Sequence, residues 1–160
     1  MKKIKKILAP TDLSELSQTG VRYALEMASF QGGAEVIVYH VIGYEEANPH
    51  DETFRAESFS SWLLEDRRKF LAELLRDNYG ELISKVKIHQ QVEIGVPHQR
   101  IVEKAVEEGV DMIIMCTHGR TGLLHMLIGS VTEKAVRWAP CPVLSIRPAK
   151  EEKPVEAVAV

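Results

Sequence analysis

The run from Cys116 to Ser130, CTHGRTGLLHMLIGS, holds the residue types best suited to gripping an anion. Before it stands the apolar stretch Val110-Asp111-Met112-Ile113-Ile114-Met115, which shows no polar/apolar alternation and reads as a strand buried on both faces, stopping at Cys116. After it, Ser130 lies three residues ahead of Glu133, the spacing of a hydroxyl cap and a carboxylate that reaches back, so a helix is expected to start at about Ser130. Glycines, a hydroxyl and the unbonded amides of a helix start, placed at the end of a buried strand, are what a phosphate requires. Glycines in a strand-to-helix loop also serve simply to turn the chain, so the phosphate reading needs a second element facing the first.

That element is the start of the chain. Ile4 to Ala9 reads as a short strand ended by Pro10, with Pro10-Thr11-Asp12 turning out of it. Asp12 stands three before Glu15, a capping-box spacing, and Ser14 offers a competing cap. A helix is expected from about Leu13 to Gln31, ended by Gly32-Gly33. Ala34 to Val41 is rich in β-branched residues and reads as a buried strand. The stretch Ile42 to Ser58 reads as a mobile loop feeding an amphipathic helix over about Phe59 to Tyr79, with Phe59, Trp62 and Phe70 among its packing residues. Val86 to Ile94 alternates strictly, as a strand near a sheet edge would. Pro97 suits the first position of a helix that turns Ile101, Val102, Ala105 and Val106 inward. Pro140-Cys141-Pro142 breaks the chain after the Ser130 helix, which Trp138 is expected to close against the sheet, and Val143 to Ile146 forms a fifth strand.

Strands alternating with helices of this length imply right-handed crossovers and an α/β doubly wound parallel sheet with helices on both faces. Ligands of such sheets sit at the carboxyl ends of the strands where the winding reverses. If the first and fourth strands are neighbours there, Pro10-Thr11-Asp12 and the Cys116 to Ser130 loop face one another across one crevice.

Composition narrows the partners. The chain has 160 residues, 45% of them hydrophobic, enough for one domain with a sizeable core. A net charge of −3 and the lack of a basic stripe argue against nucleic acid, and no run is apolar enough to serve as a signal peptide or span a membrane. Cys116 and Cys141 lie far apart beside strand-like runs, the pattern of a reduced cytoplasmic pair. Cys116 and His118 stand as C-x-H, without a second pair at ligand spacing, so no metal site is expected. No nucleophile–base pair assembles, and no catalytic residue is assigned.

The segments KKILAPTDLSELS, YHVI, MCTHGRTG, GSVTEKAV and CPVLSIRP occur in the order found in the universal stress proteins, and the chain resembles that UspA-like family from about Lys3 to Pro148. The resemblance implies a flavodoxin-like five-stranded sheet of order 3-2-1-4-5, a nucleotide-binding domain over residues 1–148 with a flexible tail at 149–160, and a homodimer paired through Val143 to Ile146. One branch of the family binds ATP and carries glycine, two residues, glycine, nine residues, glycine, then serine or threonine. Here Cys116 replaces the first glycine, and Gly119, Gly129 and Ser130 match the rest. The resemblance places Pro10, Thr11, Asp12 and Val41 around adenine and ribose. It places Gly119, Gly129, Ser130, Val131 and Thr132 around the phosphates, with Met115, Cys116 and His118 lining the wall. Arg120 is a candidate to neutralise a terminal phosphate, and Asp12 to share a Mg²⁺ ion. The expected function is a cytoplasmic ATP-binding stress-response module with slow or no hydrolysis. A dimeric interaction module without nucleotide and a slow ATPase stand as alternatives.

Overall fold

The computed structural model describes residues 3–48, 56–117 and 128–148. In chain order its elements are β1 (Lys6–Thr11), α1 (Glu15–Phe30), β2 (Glu35–Ile42), α2 (Tyr44–Ala47), α3 (Ala56–Ile83), β3 (Lys87–Ile94), α4 (Pro97–Glu107), β4 (Met112–Cys116), α5 (Ser130–Trp138) and β5 (Val143–Ile146). The strands form one sheet of order β3-β2-β1-β4-β5, every neighbouring pair parallel. This is the doubly wound, flavodoxin-like order expected from the sequence. The wet-faced strand β3 and the short β5 stand at its two edges.

Two cores cover the two faces, and the pleat sorts residues between them. On one side Ile7, Ala9, Val36, Val38 and Ile114 meet the α1 residues Val21, Ala24, Leu25 and Ala28 and the α3 residues Leu71 and Leu75. On the other, Leu8, Ile37, Tyr39, Ile113 and Met115 meet Ile101 and Ala105 of α4 and Ala135 of α5. Adjacent residues of each strand point to opposite layers, which is why the central strands show no apolar alternation.

The backbone opens the crevice where the winding reverses. The carbonyl of Lys5 accepts from Glu35 N on the β2 side, and that of Lys6 accepts from Asp111 N on the β4 side. Even-numbered residues of β1 therefore face β4. Pro10 falls on that side and has no N–H to offer, and the β1–β4 pairing ends at Leu8↔Ile113 while the β1–β2 pairing runs on to Thr11↔His40. The split between β1 and β4 is thus dictated by a proline that leaves β1 joined on one side only.

Several expectations are corrected. Strand β1 continues through Pro10 and Thr11 instead of ending before them, because the β2 ladder tolerates a proline whose missing donor faces away from it. Strand β4 includes Cys116, which pairs with Ile146. Val106 is exposed and Lys104 buried, so α4 is rotated from the expected face, the lysine being drawn inward by Glu93. Trp62, Phe70 and Trp138 are exposed; Trp62 stacks on Phe59, and Trp138 lies against His98 rather than the sheet. The expected loop after β2 contains the short helix α2, and residues 49–55 and the tail 149–160 lie outside the described residues.

Candidate functional site

A cleft of about 220 Å³ sits at the carboxyl ends of the strands, over the split between β1 and β4. Pro10, Thr11 and Asp12 come to it from the end of β1, Val41 from β2, and Met115 and Cys116 from β4. Gly129, Ser130, Val131 and Thr132 enter from the start of α5. Ten of the thirteen residues singled out in the sequence therefore line one mouth. The other three, His118, Gly119 and Arg120, lie outside the described residues.

The β1 side is a tightly bonded turn. Leu13 adopts a positive φ of 68°, an uncommon conformation for a residue with a side chain. Flanking side chains hold it there. Thr11 Oγ1 accepts from Leu13 N at 3.0 Å, and Asp12 Oδ1 accepts from Ser14 N at 3.1 Å and from the Ser14 hydroxyl at 2.5 Å. Ser14, not Asp12, is the N-cap of α1 and accepts from Ser17 N at 3.2 Å. Asp12 is drawn into a turn of its own, which displaces the capping box expected with Glu15. His40, fully buried, donates from Nδ1 to the Thr11 carbonyl at 2.9 Å and fixes the strand end.

The α5 side is built differently. Gly129, one residue earlier than expected, is the N-cap, and among the described residues no side chain caps the helix. Ser130 is the first helical residue, so the capping box with Glu133 does not form. The Gly129 amide is committed to the Thr117 carbonyl at 2.7 Å, and the first helical backbone bond runs from Glu133 N to Gly129 O at 2.9 Å. The amides of Ser130, Val131 and Thr132 thus head the helix at the cleft, with the positive end of its dipole behind them. The buried Thr132 hydroxyl donates to the Cys116 carbonyl at 2.9 Å and ties this helix start to the end of β4.

Five further lining residues are not among the site residues expected from the sequence: Ser17, Tyr39, Pro97, Ile101 and Thr117. Tyr39 was within reach, since it shares a strand face with Val41 two residues on. Ser17, whose hydroxyl lies 2.8 Å from that of Thr11, needed the tertiary fold. So did Gly20. A Cβ there would sit 2.8 Å from Cys116 N, so α1 lies directly on the backbone of β4 beneath the cleft.

Below Tyr39 lies a charged cluster. The Tyr39 hydroxyl donates to Glu93 Oε2 at 2.9 Å, Arg100 Nε donates to the same oxygen at 3.1 Å, and Lys104 Nζ meets Glu93 Oε1 at 2.6 Å. Burial pushes the Glu93 carboxyl up, but hydrogen bonds from Lys104, Arg100 and Tyr39 outweigh it and hold the pKa down at about 2. Burial and the Glu93 charge together push the Tyr39 phenol well above its ordinary value.

Among the described residues no three His, Cys, Asp or Glu side chains gather as a metal site, and no helix is long and apolar enough to cross a membrane.

A doubly wound sheet with a crevice at its reversal point, walled by a strand-end aspartate and an uncapped helix, defines a class of small α/β binding domains. Residues 3–147 match the model of the universal stress protein family, and the chain belongs to that family. It is 34% identical over 157 residues to universal stress protein MJ0531 of Methanocaldococcus jannaschii, covering 92% of this chain and 85% of that protein. The solved structure of protein MJ0577 from the same organism is 33% identical, with a TM-score of 0.71 over 93% of this chain and 99% of that one. A universal stress family protein of Arabidopsis thaliana, solved with AMP bound, shares the fold at 20% identity, with a TM-score of 0.61 over 95% of this chain and 97% of that one.

Proposed function

We propose that this protein is a regulatory module that binds an adenine nucleotide, ATP in particular, and hydrolyses it slowly or not at all. The observation that carries the reading is the meeting of two unlike groups at one mouth: the Thr11–Asp12 strand end and the uncapped amides of Ser130, Val131 and Thr132. The first suits ribose hydroxyls and the second suits phosphate oxygens. Pro10, Val41, Met115 and the Cys116 side chain supply the apolar walls that a base requires, and a related fold from Arabidopsis holds AMP.

Slow turnover follows from what stands near those amides. Asp12 is the acidic residue of the cleft lining, and its Oδ1 is engaged in the Ser14 turn. Fast hydrolysis needs a positioned water and a transition-state cation besides a place for Mg²⁺, and Asp12 is the one carboxylate of the described lining. Mass spectrometry of the purified protein for carried nucleotide, followed by calorimetric titration with ATP with and without Mg²⁺, tests the reading. Binding of one nucleotide per chain with turnover below about 1 s⁻¹ is expected. No bound nucleotide and no heat on titration would overturn it.

A second reading, a dimeric interaction module, draws on two features. Cys116 lines the wall where the ATP-binding pattern has glycine, and β5 is an edge strand of the described sheet whose four residues are all half-buried. Pairing of two chains through Val143–Ile146 is compatible with nucleotide binding. Replacing Cys116 with glycine raises nucleotide affinity if the sulfur crowds the ligand, and light scattering on the intact protein reports the dimer.

A further inference from the structure

We propose that Glu93 is a positioning residue for the base half of the cleft, setting the distance between its floor and its α4 wall. The inference rests on the adenine-nucleotide reading and deepens it. Glu93 does not line the cleft; its carboxylate holds three groups that do, or that carry those that do. It accepts from the hydroxyl of Tyr39, the fully buried floor residue, and it binds Arg100 and Lys104, which flank the wall residue Ile101 on α4. Lys104 also lies 5.6 Å over the Tyr39 ring, so floor and wall are tied through the Glu93 carboxylate and also by a direct contact. Successive residues of α4 divide the work: Ile101 points into the cleft while Arg100 and Lys104 hold the helix down.

Gly95 shows that the space for this clamp is reserved. It ends the β3 turn with its amide bonded to the Ile42 carbonyl at 2.9 Å, and a Cβ added there would sit 2.6 Å from Arg100 Cγ. A Cβ there would force the arginine stem to shift from its path across the turn to Glu93. Among the described residues none of these groups hydrogen-bonds to the α5 amides that would take the phosphates, and α4 meets α5 through the apolar contacts of Ile101 and Ala105 with Val131 and Ala135. Loosening the clamp therefore widens the base half and leaves the phosphate half alone.

The test compares ATP with tripolyphosphate, which carries the charge and lacks the base, by calorimetry on wild-type protein and on Glu93→Gln, Gly95→Ala and Tyr39→Phe. Glu35→Gln, an exposed ion pair at the opposite end of the strands, is the control. The ATP dissociation constant is expected to rise about tenfold in Glu93→Gln, the size of one charged hydrogen bond, and about threefold in Gly95→Ala. Tripolyphosphate should change less than about twofold in both. Should Glu93→Gln fail to fold, Gly95→Ala and Tyr39→Phe are read in the same way. Unchanged ATP affinity in the folded variants, or equal losses for ATP and tripolyphosphate, overturns the assignment while leaving nucleotide binding intact. A wild-type protein that binds no ATP overturns the functional reading first, and this assignment with it.

Discussion

Two helices begin at the same mouth of the crevice, α1 at Glu15 and α5 at Ser130, and they treat their first amides in opposite ways. The start of α1 is closed. Ser14 caps it, Asp12 and Thr11 bond the turn ahead of it, and Leu13 is held at positive φ by those bonds. The start of α5 is open among the described residues, with Gly129 at the cap position and no side-chain cap bond to the amides that follow. A serine or aspartate cap stabilises a helix by about 1 kcal/mol over alanine and by only a few tenths of that over glycine. Leaving that contribution unused at α5 makes sense where another group supplies the missing acceptors. The closed helix therefore shapes the wall, and the open one is the place for an anion.

The sharpest way to break this contrast is to close α5. Gly129 has extended geometry, φ −70° and ψ 154°, which any cap residue adopts. Gly129→Asp would place a carboxylate on the α5 amides. The helix should gain a few tenths of a kcal/mol in thermal unfolding, since glycine is only slightly poorer than aspartate as a cap. ATP affinity should fall about 100-fold by calorimetry, because the carboxylate competes for the same donors and repels phosphate. Binding and stability moving in opposite directions separate a ligand site from an ordinary helix end. Unchanged affinity would place the anion elsewhere.

A second substitution addresses what the two helix starts share. Gly20 brings α1 onto the β4 backbone at Met115 and Cys116, and Cys116 in turn receives the Thr132 hydroxyl of α5. Gly20→Ala should cost about 1–3 kcal/mol in denaturant unfolding, the range for overpacking a closed core. No loss would mean that the helix lies farther from β4. The smallest effect is expected at the closed helix itself. Ser14→Ala should cost about 1 kcal/mol, read as a lower melting temperature, by removing the acceptor of Ser17 N. A loss well below that would show that the Asp12 and Thr11 turn suffices to hold α1.

Much of this arrangement is legible in the linear order of residues. Period-2 and period-3.6 patterns and glycine or proline punctuation locate the strands and helices, because those signals are carried by neighbours in the chain. The errors cluster where partners are distant. Pro10 reads as the end of β1 until the direction of its missing donor is known, and that depends on which strand lies on each side. Ser130 has the spacing of a cap, yet the helix takes its register from the Thr117 carbonyl and Thr132 hydroxyl, so Gly129 holds that position. Val106 looks inward by pattern, while Lys104 takes the inward place because Glu93 is there to pair with it. Burying an ammonium is prohibitive without such a partner and acceptable with one.

The sequence by itself determined the alternation of strands and helices, and its resemblance to the universal stress proteins named ten residues that line the cleft. These rest on local periodicity and on motifs whose members lie within a few residues of one another. Only the tertiary structure decided that β1 and β4 part at Pro10, that α5 begins uncapped and that Glu93 joins Tyr39 to α4. Such pairs bring together residues as far apart as the 54 positions between Tyr39 and Glu93, and no local pattern encodes which distant group will satisfy a buried charge or hydroxyl.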